Sequence, residues 1–422
     1  MRVAIKTLGC KVNQSESDLL ASLLMKENII MVDFKEEADC YIINSCAVTG
    51  MSEKKTRQWI RRALRNNQNS RVFLLGCYSR LLSQEIPSFD PRLQIIDSTN
   101  KIQETLKRLG LSQNNPSSME VVLETKRARV WLKIEDGCDR FCHYCIVPHL
   151  RGRVRSEEPQ QIIAQVVQLE RKGIHEIVLS GINLGMYGKE SGKTSLIELL
   201  EQLVKRTQSI RFRLSSIEPF LIDKNFLDRY FSLIPRVCPH FHIPLQNGSD
   251  QILSKMGRGY TTENYQELIH TIRNYDPRIA ISTDVIVGFP GESDQHFSDT
   301  VEFSRAMSFS RAHIFIYSAR PFTPAAQWEK IEGVPYQIKK ERERILHKTV
   351  QGTQLTYYRS FIGEKLLVLV ESFKDDRVGS GYSENYIPVR CDPTSSSDYG
   401  RIIPVMIERE DNRILVGKIE KN

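Results

Sequence analysis

The sequence predicts an α/β protein in three parts. These are an N-terminal α/β domain on a parallel sheet (residues 1–125), a central parallel α/β barrel (126–355) and a small C-terminal β-barrel (356–422). Three observations lead there. Short apolar strands alternate with helical patterns from Val3 to Leu109, the mark of a parallel sheet covered on both faces. The alternation resumes at Arg129 with six strands, which predicts a barrel, partial or complete. Beyond residue 356 only strand patterns follow, broken by Gly and Asp, with no evident helix.

In the first part, Val3–Thr7, Tyr41–Asn44, Val72–Leu75 and Gln94–Ile96 read as strands. Helices are expected over Ser15–Leu24, Ser52–Arg65 and Lys101–Leu109, with Ser15 and Ser52 as N-caps. The polar stretch Ser112–Ser118 lacks any period and reads as a linker. In the second part the strands are Arg129–Glu135, Glu176–Asn183, Ile210–Leu214, His240–Leu245, Ile279–Val287 and His313–Tyr317. Helices fall over Pro159–Arg171, Leu196–Val204, Thr262–Tyr275 and Thr300–Met307. In the third part Lys365–Ser372, Tyr382–Arg390, Arg401–Glu408 and Ile414–Ile419 read as β stretches.

Composition excludes several classes. No apolar stretch reaches the roughly 18 residues of a membrane span, and no apolar run near Met1 is followed by a small-residue cleavage site. A cytoplasmic protein is expected. Nine cysteines in 422 residues are no disulfide scaffold; in a reducing compartment they read as ligands or buried residues. The net charge of +8 suits a polyanionic partner without requiring one. Arg57, Arg61, Arg62 and Arg65 form either a solvated helix face or a phosphate contact. Arg151, Arg153 and Arg155 stand just after a cysteine cluster, where contact with phosphate or a cofactor is easier to argue.

That cluster is Cys138, Cys142 and Cys145, three thiols within eight residues. A structural zinc site takes four protein ligands, and no fourth stands nearby. An iron–sulfur cube held by three thiolates leaves one iron open for a small molecule. Three further cysteines, Cys10, Cys46 and Cys77, each follow a predicted strand of the first part, so they share one edge of a parallel sheet, the edge where such folds bind ligands. Cys40, Cys238 and Cys391 have no partner pattern and read as structural.

The C-x3-C-x2-C run, with Asp136-Gly137 before it, Tyr144 before its third cysteine and Ile146-Val147-Pro148 after it, resembles the radical S-adenosylmethionine (SAM) enzymes, and within them the methylthiotransferases. The match extends from residue 2 to about 419. It includes Gly9-Cys10-Lys11-Val12-Asn13-Gln14, Asn44-Ser45-Cys46, Gly76-Cys77, Leu214-Ser215-Ser216-Ile217-Glu218-Pro219, Met256-Gly257-Arg258-Gly259-Tyr260 and Asp284-Val285-Ile286-Val287-Gly288-Phe289-Pro290-Gly291-Glu292. The opening phrase and the Leu214–Pro219 phrase look most like the branch acting on threonylcarbamoyl-adenosine in tRNA. Two departures stand out: Asn247 follows Gln246 where the family usually has Ser, and Phe322 stands where it tends to have Gly, which puts that loop's shape in doubt.

The resemblance implies a partial six-unit barrel, two [4Fe-4S] clusters and SAM. Cys138, Cys142 and Cys145 would hold the catalytic cluster, whose open iron binds SAM and yields a 5'-deoxyadenosyl radical; Cys10, Cys46 and Cys77 would hold an auxiliary cluster that supplies sulfur. A second SAM would methylate that sulfur. SAM contacts are expected from Tyr144 and from strand-closing residues: Gly181, Asn183, Arg213, Ser215, Gln246 and Asp284, with Ser216, Glu218, Gly288, Tyr317 and Arg320 nearby. The C-terminal module resembles the TRAM RNA-binding barrel through Gly379–Tyr386. There Tyr382 and Tyr386 would stack on bases, or else pack internally, while Lys365, Arg377, Arg390, Arg151 and Arg153 meet phosphate. The implied reaction places a methylthio group on carbon 2 of N6-threonylcarbamoyladenosine at tRNA position 37, with a flavodoxin or ferredoxin reductant and a sulfur donor. Isopentenyl-adenosine or a ribosomal protein aspartate are alternative substrates, and a non-catalytic iron–sulfur RNA-binding protein is the alternative of another class.

Overall fold

The computed structural model describes residues 1–82, 90–111, 127–374 and 377–420. The expected linker at 112–118 and the first domain boundary lie outside the described residues. The first unit is a five-stranded parallel sheet of β1 (Arg2–Thr7), β2 (Ile30–Met31), β3 (Cys40–Ser45), β4 (Arg71–Gly76) and β5 (Leu93–Ile95), in the order β2-β1-β3-β4-β5. Helices α1 (Lys11–Lys26), α2 (Gly50–Asn66), α3 (Cys77–Leu82) and α4 (Lys101–Arg108) connect the strands. One apolar cluster gathers Val3, Leu20, Leu24, Ile42, Phe73 and Leu75; another gathers Ala4, Tyr41, Ile43, Ile60, Val72 and Leu74. The strands are therefore apolar on both sides, as a helix-covered parallel sheet requires.

Two helix starts differ from expectation. Helix α1 begins at Lys11, so Ser15 is no cap: it is buried one turn in, and its Oγ accepts from the Lys133 amide at 3.0 Å. Helix α2 begins at Gly50, and its cap is Thr49, whose side chain accepts from the Ser52 amide at 3.2 Å. In both cases a residue further toward the N-terminus, Cys10 or Thr49, already has the extended backbone that a cap needs.

The second unit alternates β6 (Arg129–Lys133), the short pair β7 (Glu135–Asp136) and β8 (Arg155–Ser156), α5 (Val147–Arg151), α6 (Pro159–Arg171), β9 (Glu176–Ser180), α7 (Leu196–Arg206), β10 (Arg211–Leu214), α8 (Lys224–Ser232), β11 (His240–His242), α9 (Asp250–Met256), α10 (Thr262–Tyr275), β12 (Ala280–Val287), α11 (Asp294–Ala306) and β13 (Arg311–Ile316). Six parallel strands form two half-sheets, β10-β9-β6 and β11-β12-β13. Single bridges at Phe212–Val237 and Ser216–His242 join them, which makes a partial (β/α)6 barrel. Helix α7 shows why these segments fold: a Ser195–Glu198 capping box starts it, and Leu196, Ile197, Leu199, Leu200 and Leu203 form its buried stripe. Each such side chain contributes about 1.5–3 kcal/mol on full burial. The sequence pattern had not revealed α8, α9, α12 (Pro324–Glu332) or α13 (Tyr336–Arg359).

The third unit is a closed barrel of five strands, β14 (Lys365–Lys374), β15 (Val378–Ser383), β16 (Pro388–Cys391), β17 (Ile402–Asp411) and β18 (Ile414–Ile419), ordered β14-β15-β16-β18-β17. The single stretch expected over Tyr382–Arg390 is two strands joined by a turn, with Tyr386 at φ +64°. Closure leaves no free sheet edge.

Two junctions position the site. Helix α1 of the first unit packs along β6, the edge strand of the barrel, with Arg127 paired to Asp18 at 2.9 Å. The C-terminal barrel docks against the amino ends of the strands: Arg129 Nε donates to Glu371 at 2.6 Å, Arg211 to the Leu367 carbonyl at 2.8 Å, and Arg213 to the Ser383 and Glu384 carbonyls at 3.1 and 2.9 Å. The carboxyl ends of the strands are left for the first unit to face.

Candidate functional site

Cys10 precedes α1, Cys46 follows β3 and Cys77 opens α3, so all three thiols stand beyond the carboxyl ends of neighbouring strands. Gly9, at φ +101°, lets the chain pass so close that an added Cβ would lie 2.7 Å from the Cys46 Cβ. Asn13 ties the loops together, donating from Nδ2 to the Leu8 and Ser45 carbonyls at 2.8 and 2.9 Å. The Cys10 thiol points at its Oδ1, 3.9 Å away. Arg151, reaching over from α5, donates from Nε to Cys77 Sγ at 3.4 Å and pairs with Glu16 at 3.2 Å and Asp136 at 2.8 Å. Its remaining nitrogen bonds Asn13 Oδ1.

The second triad lies on the loop after β7. Gly137, at φ +89°, turns the chain, and the Cys138 amide donates to the Gly152 carbonyl at 3.0 Å. Arg258 donates to Cys142 Sγ and to the Tyr144 hydroxyl, both at 3.3 Å, and is ion-paired with Glu218. Asn183 directs Nδ2 to Cys138 Sγ at 3.8 Å, while its Oδ1 is buried without a hydrogen-bond partner. Glu135 accepts from the Asn183 amide at 2.8 Å, and burial pushes its carboxyl up to about 8. Arg151 joins the two triads, touching Cys77 at one end and Asp136, two residues before Cys138, at the other.

The donor sets fit iron–sulfur clusters. Burial pushes the Cys46 thiol up to about 11 and the Cys145 thiol up to about 12. Three thiolates at each site need more positive charge than one guanidinium carries, and a cluster's irons supply it. Among the described residues no three Cys, His, Asp or Glu side chains group as ligands of a single metal ion. Zinc would draw its thiolates to about 2.3 Å from one centre, whereas a cube holds each thiolate on a different iron.

Gly181, Ser215, Tyr144 and Gln246 lie around the carboxyl-end rim, with the Gly181 amide 3.4 Å from Ser215 Oγ. Five expected positions lie elsewhere. Arg213 sits inside β10 with its side chain at the barrel floor, held by Glu176 at 3.2 Å and fully buried. Asp284 lies in the middle of β12, between His242 and His313 at 3.2 Å each, not at a strand end. Arg151 is buried by the cysteine loop and so is not a phosphate contact in this arrangement. Tyr382 and Tyr386 turn inward: Arg129 lies 5.2 and 5.3 Å from their rings, Arg213 4.4 Å from Tyr386, and His240 packs edge-on against Tyr386. Arg213 and Tyr382 take inward faces of their strands, Tyr386 is turned in by its left-handed turn, and Arg151 is drawn in from α5 by Glu16 and Asp136. Arg153 and Arg377 are exposed, as is Lys365, which pairs with Glu420.

Arg258 and Glu16 are site residues that the pattern did not assign. The two glycines around Arg258, both at positive φ, are the local signal that its backbone is specially shaped. Glu16 gives no signal at all, because its partners Arg151 and Lys101 are distant in sequence.

A parallel-stranded partial barrel with a thiol triad at its rim defines the radical SAM class, and the family description "Radical SAM superfamily" matches residues 132–304. Residues 2–97 match the description "Uncharacterized protein family UPF0004". The chain is 36% identical to a threonylcarbamoyladenosine tRNA methylthiotransferase of Aquifex aeolicus, covering 96% of this chain and 100% of that one. It is 38% identical to the enzyme of that name from Thermotoga maritima, over 91% and 90%. It is also 36% identical to a tRNA-2-methylthio-N(6)-dimethylallyladenosine synthase of Dictyoglomus thermophilum, over 90% of each chain. Among solved structures, the radical SAM methyltransferase TsrM of Kitasatospora setae shares the fold at a TM-score of 0.55 and 14% identity, over 77% of this chain and 75% of that one. The chain belongs to the radical SAM tRNA methylthiotransferases: it is an enzyme of tRNA methylthiolation that uses SAM and [4Fe-4S] clusters. Among the described residues no helix is long and apolar enough to cross a membrane.

Proposed function

We propose that this enzyme places a methylthio group on carbon 2 of N6-threonylcarbamoyladenosine at position 37 of tRNA. The observation that carries the reading is the pairing of the two thiol triads across one seam, joined by Arg151. Cys138, Cys142 and Cys145 would hold one cluster, and Cys10, Cys46 and Cys77 the other. Bound there, the clusters supply electrons for SAM cleavage and sulfur for transfer. The residues of the chain do the rest. Asn183, with its free Oδ1, and the Gly181 and Ser215 rim offer polar contacts to SAM. Arg258 and Arg151 offset thiolate charge. The C-terminal barrel belongs to this reading as an RNA-binding module with Lys365 and Arg377 toward phosphate, and a flavodoxin or ferredoxin reductant, a separate sulfur donor and a cytoplasmic setting complete it. The threonylcarbamoyl assignment is supported by the names of the Aquifex and Thermotoga relatives; the Dictyoglomus relative supports a dimethylallyl substrate as the second reading.

Mass spectrometry of tRNA nucleosides with and without the gene tests this. Loss of methylthio-threonylcarbamoyl-adenosine with accumulation of its parent is expected. Loss of methylthio-dimethylallyl-adenosine instead would move the enzyme to the second reading. A Cys10/Cys46/Cys77→Ala triple variant that still transferred methylthio groups would remove the sulfur role from the first triad.

A further inference from the structure

Lys11 is the first residue of α1, next to Cys10, and its ammonium lies near Tyr386 and among charged groups of the barrel strands. Among the described residues its ammonium makes no hydrogen bond and no ion pair, and it lies 5.7 Å from the Tyr386 ring. The charged groups facing it come from four other elements. Arg129 of β6, Arg213 of β10 and Arg311 of β13 are cationic, and Asp284 of β12 is the anion. Asp284 lies 3.2 Å from both His242 and His313, with its Oδ1 buried and without a hydrogen-bond partner, while Arg213 is held by Glu176 and two carbonyls of the C-terminal barrel. Arg129, which is 4% exposed, keeps one guanidinium nitrogen, Nη2, buried with no hydrogen-bond partner. A half-buried ammonium that faces three guanidiniums and one carboxylate is a place where cationic charge outnumbers anionic and a further anion would be stabilised.

The two substrate readings differ in one chemical respect that matters here. A threonylcarbamoyl group ends in a carboxylate, whereas a dimethylallyl group is pure hydrocarbon. Position 2 and the N6 substituent flank the same ring nitrogen of adenine. A base whose carbon 2 faces the Cys10 triad therefore carries its N6 group within reach of the residue beside Cys10. We propose that Lys11 determines substrate specificity by receiving the carboxylate of the N6-threonylcarbamoyl group, with Arg129 Nη2 as a second donor. This assignment rests on the threonylcarbamoyl reading above.

The test uses the cluster-loaded enzyme and equilibrium binding of two transcripts of one tRNA, one carrying enzymatically installed N6-threonylcarbamoyladenosine and one unmodified. The readout is the ratio of their dissociation constants for the parent, Lys11→Met and Lys11→Arg. The parent is expected to favour the modified tRNA. Lys11→Met, which keeps the aliphatic stem, should collapse that ratio by about tenfold or more, the scale of a lost hydrogen bond to a charged group. Lys11→Arg should restore most of it, which a merely structural role would not produce. Equal weakening of both tRNAs by Lys11→Met would mean a backbone phosphate contact and would overturn the proposal, as would an unchanged ratio. If the parent itself shows no preference for the modified tRNA and methylthiolates only dimethylallyl-adenosine, the substrate reading fails and takes this proposal with it. A parent that prefers the modified tRNA alongside an indifferent Lys11→Met overturns the Lys11 assignment alone.

Discussion

Replacing Glu176 by Gln perturbs the floor of the barrel on which the C-terminal unit rests. Glu176 is fully buried and takes three arginines: Arg211 at 2.5 Å, Arg213 at 3.2 Å and Arg129 at 3.2 Å. Burial alone would raise its pKa, but the three guanidiniums hold it well below the ordinary carboxylate range. The amide removes the charge, turns one acceptor into a donor facing a guanidinium, and leaves Glu371 as the carboxylate still paired to this group. Breaking a buried pair by removing one partner costs about 3–5 kcal/mol, and no discount for solvent applies because the side chains are 0–5% exposed. Urea unfolding at neutral pH should show that loss. Hydrogen exchange should show the turn at Ser383 and Glu384, held by Arg213, opening faster. The pH dependence has a fixed sign. A depressed carboxylate contributes stability above its unfolded pKa of about 4.3 that is lost as pH falls, so Glu176→Gln should flatten the acid limb of the stability profile. A loss under about 1 kcal/mol with unchanged exchange at that turn would refute the buried-network account.

Three further outcomes follow from particular side chains. Phe322 adopts φ +65° and is exposed, so Phe322→Gly should stabilise the fold by about 1 kcal/mol in thermal unfolding, relieving the left-handed strain of a residue with a Cβ. Burial keeps the Glu135 carboxyl protonated up to a pH of about 8, so the parent loses stability as pH rises from about 4.3 toward that value. Urea midpoints at acidic and mildly alkaline pH should therefore shift in favour of Glu135→Gln as pH rises. Arg151→Met removes the cation at Cys77, so, with a cluster on Cys10, Cys46 and Cys77 as proposed, a redox titration followed by electron paramagnetic resonance should find that cluster harder to reduce, with Arg151→Lys intermediate.

Much of the architecture was legible because its signals are local. Helices α6 and α10 fall where the apolar period placed them, at Pro159–Arg171 and Thr262–Tyr275. The six barrel strands were visible as short apolar runs, and the closed C-terminal barrel was visible as strands without helices. Helix α13 was not, because its charged, weakly amphipathic sequence gives little period and its place is set by packing on β13 and α11. The doubt about Phe322 was well founded in mechanism: the loop does take the left-handed backbone that a glycine prefers, and the phenylalanine bears it on the surface.

By itself the sequence placed Cys10, Cys46 and Cys77 at one sheet edge, since a cysteine after each parallel strand shares that edge whatever the distance along the chain. Only the tertiary structure decided what neutralises and surrounds them. It turned Arg151 from a surface cation into the bridge between triads, sent Arg213 and Tyr386 to the barrel floor, and left Lys11 facing the interior among three arginines with no ion pair among the described residues. The reason is physical: periodicity records which face of its own element a side chain takes, whereas charge partners come from elements far apart in sequence, and buried charges are settled by those partners.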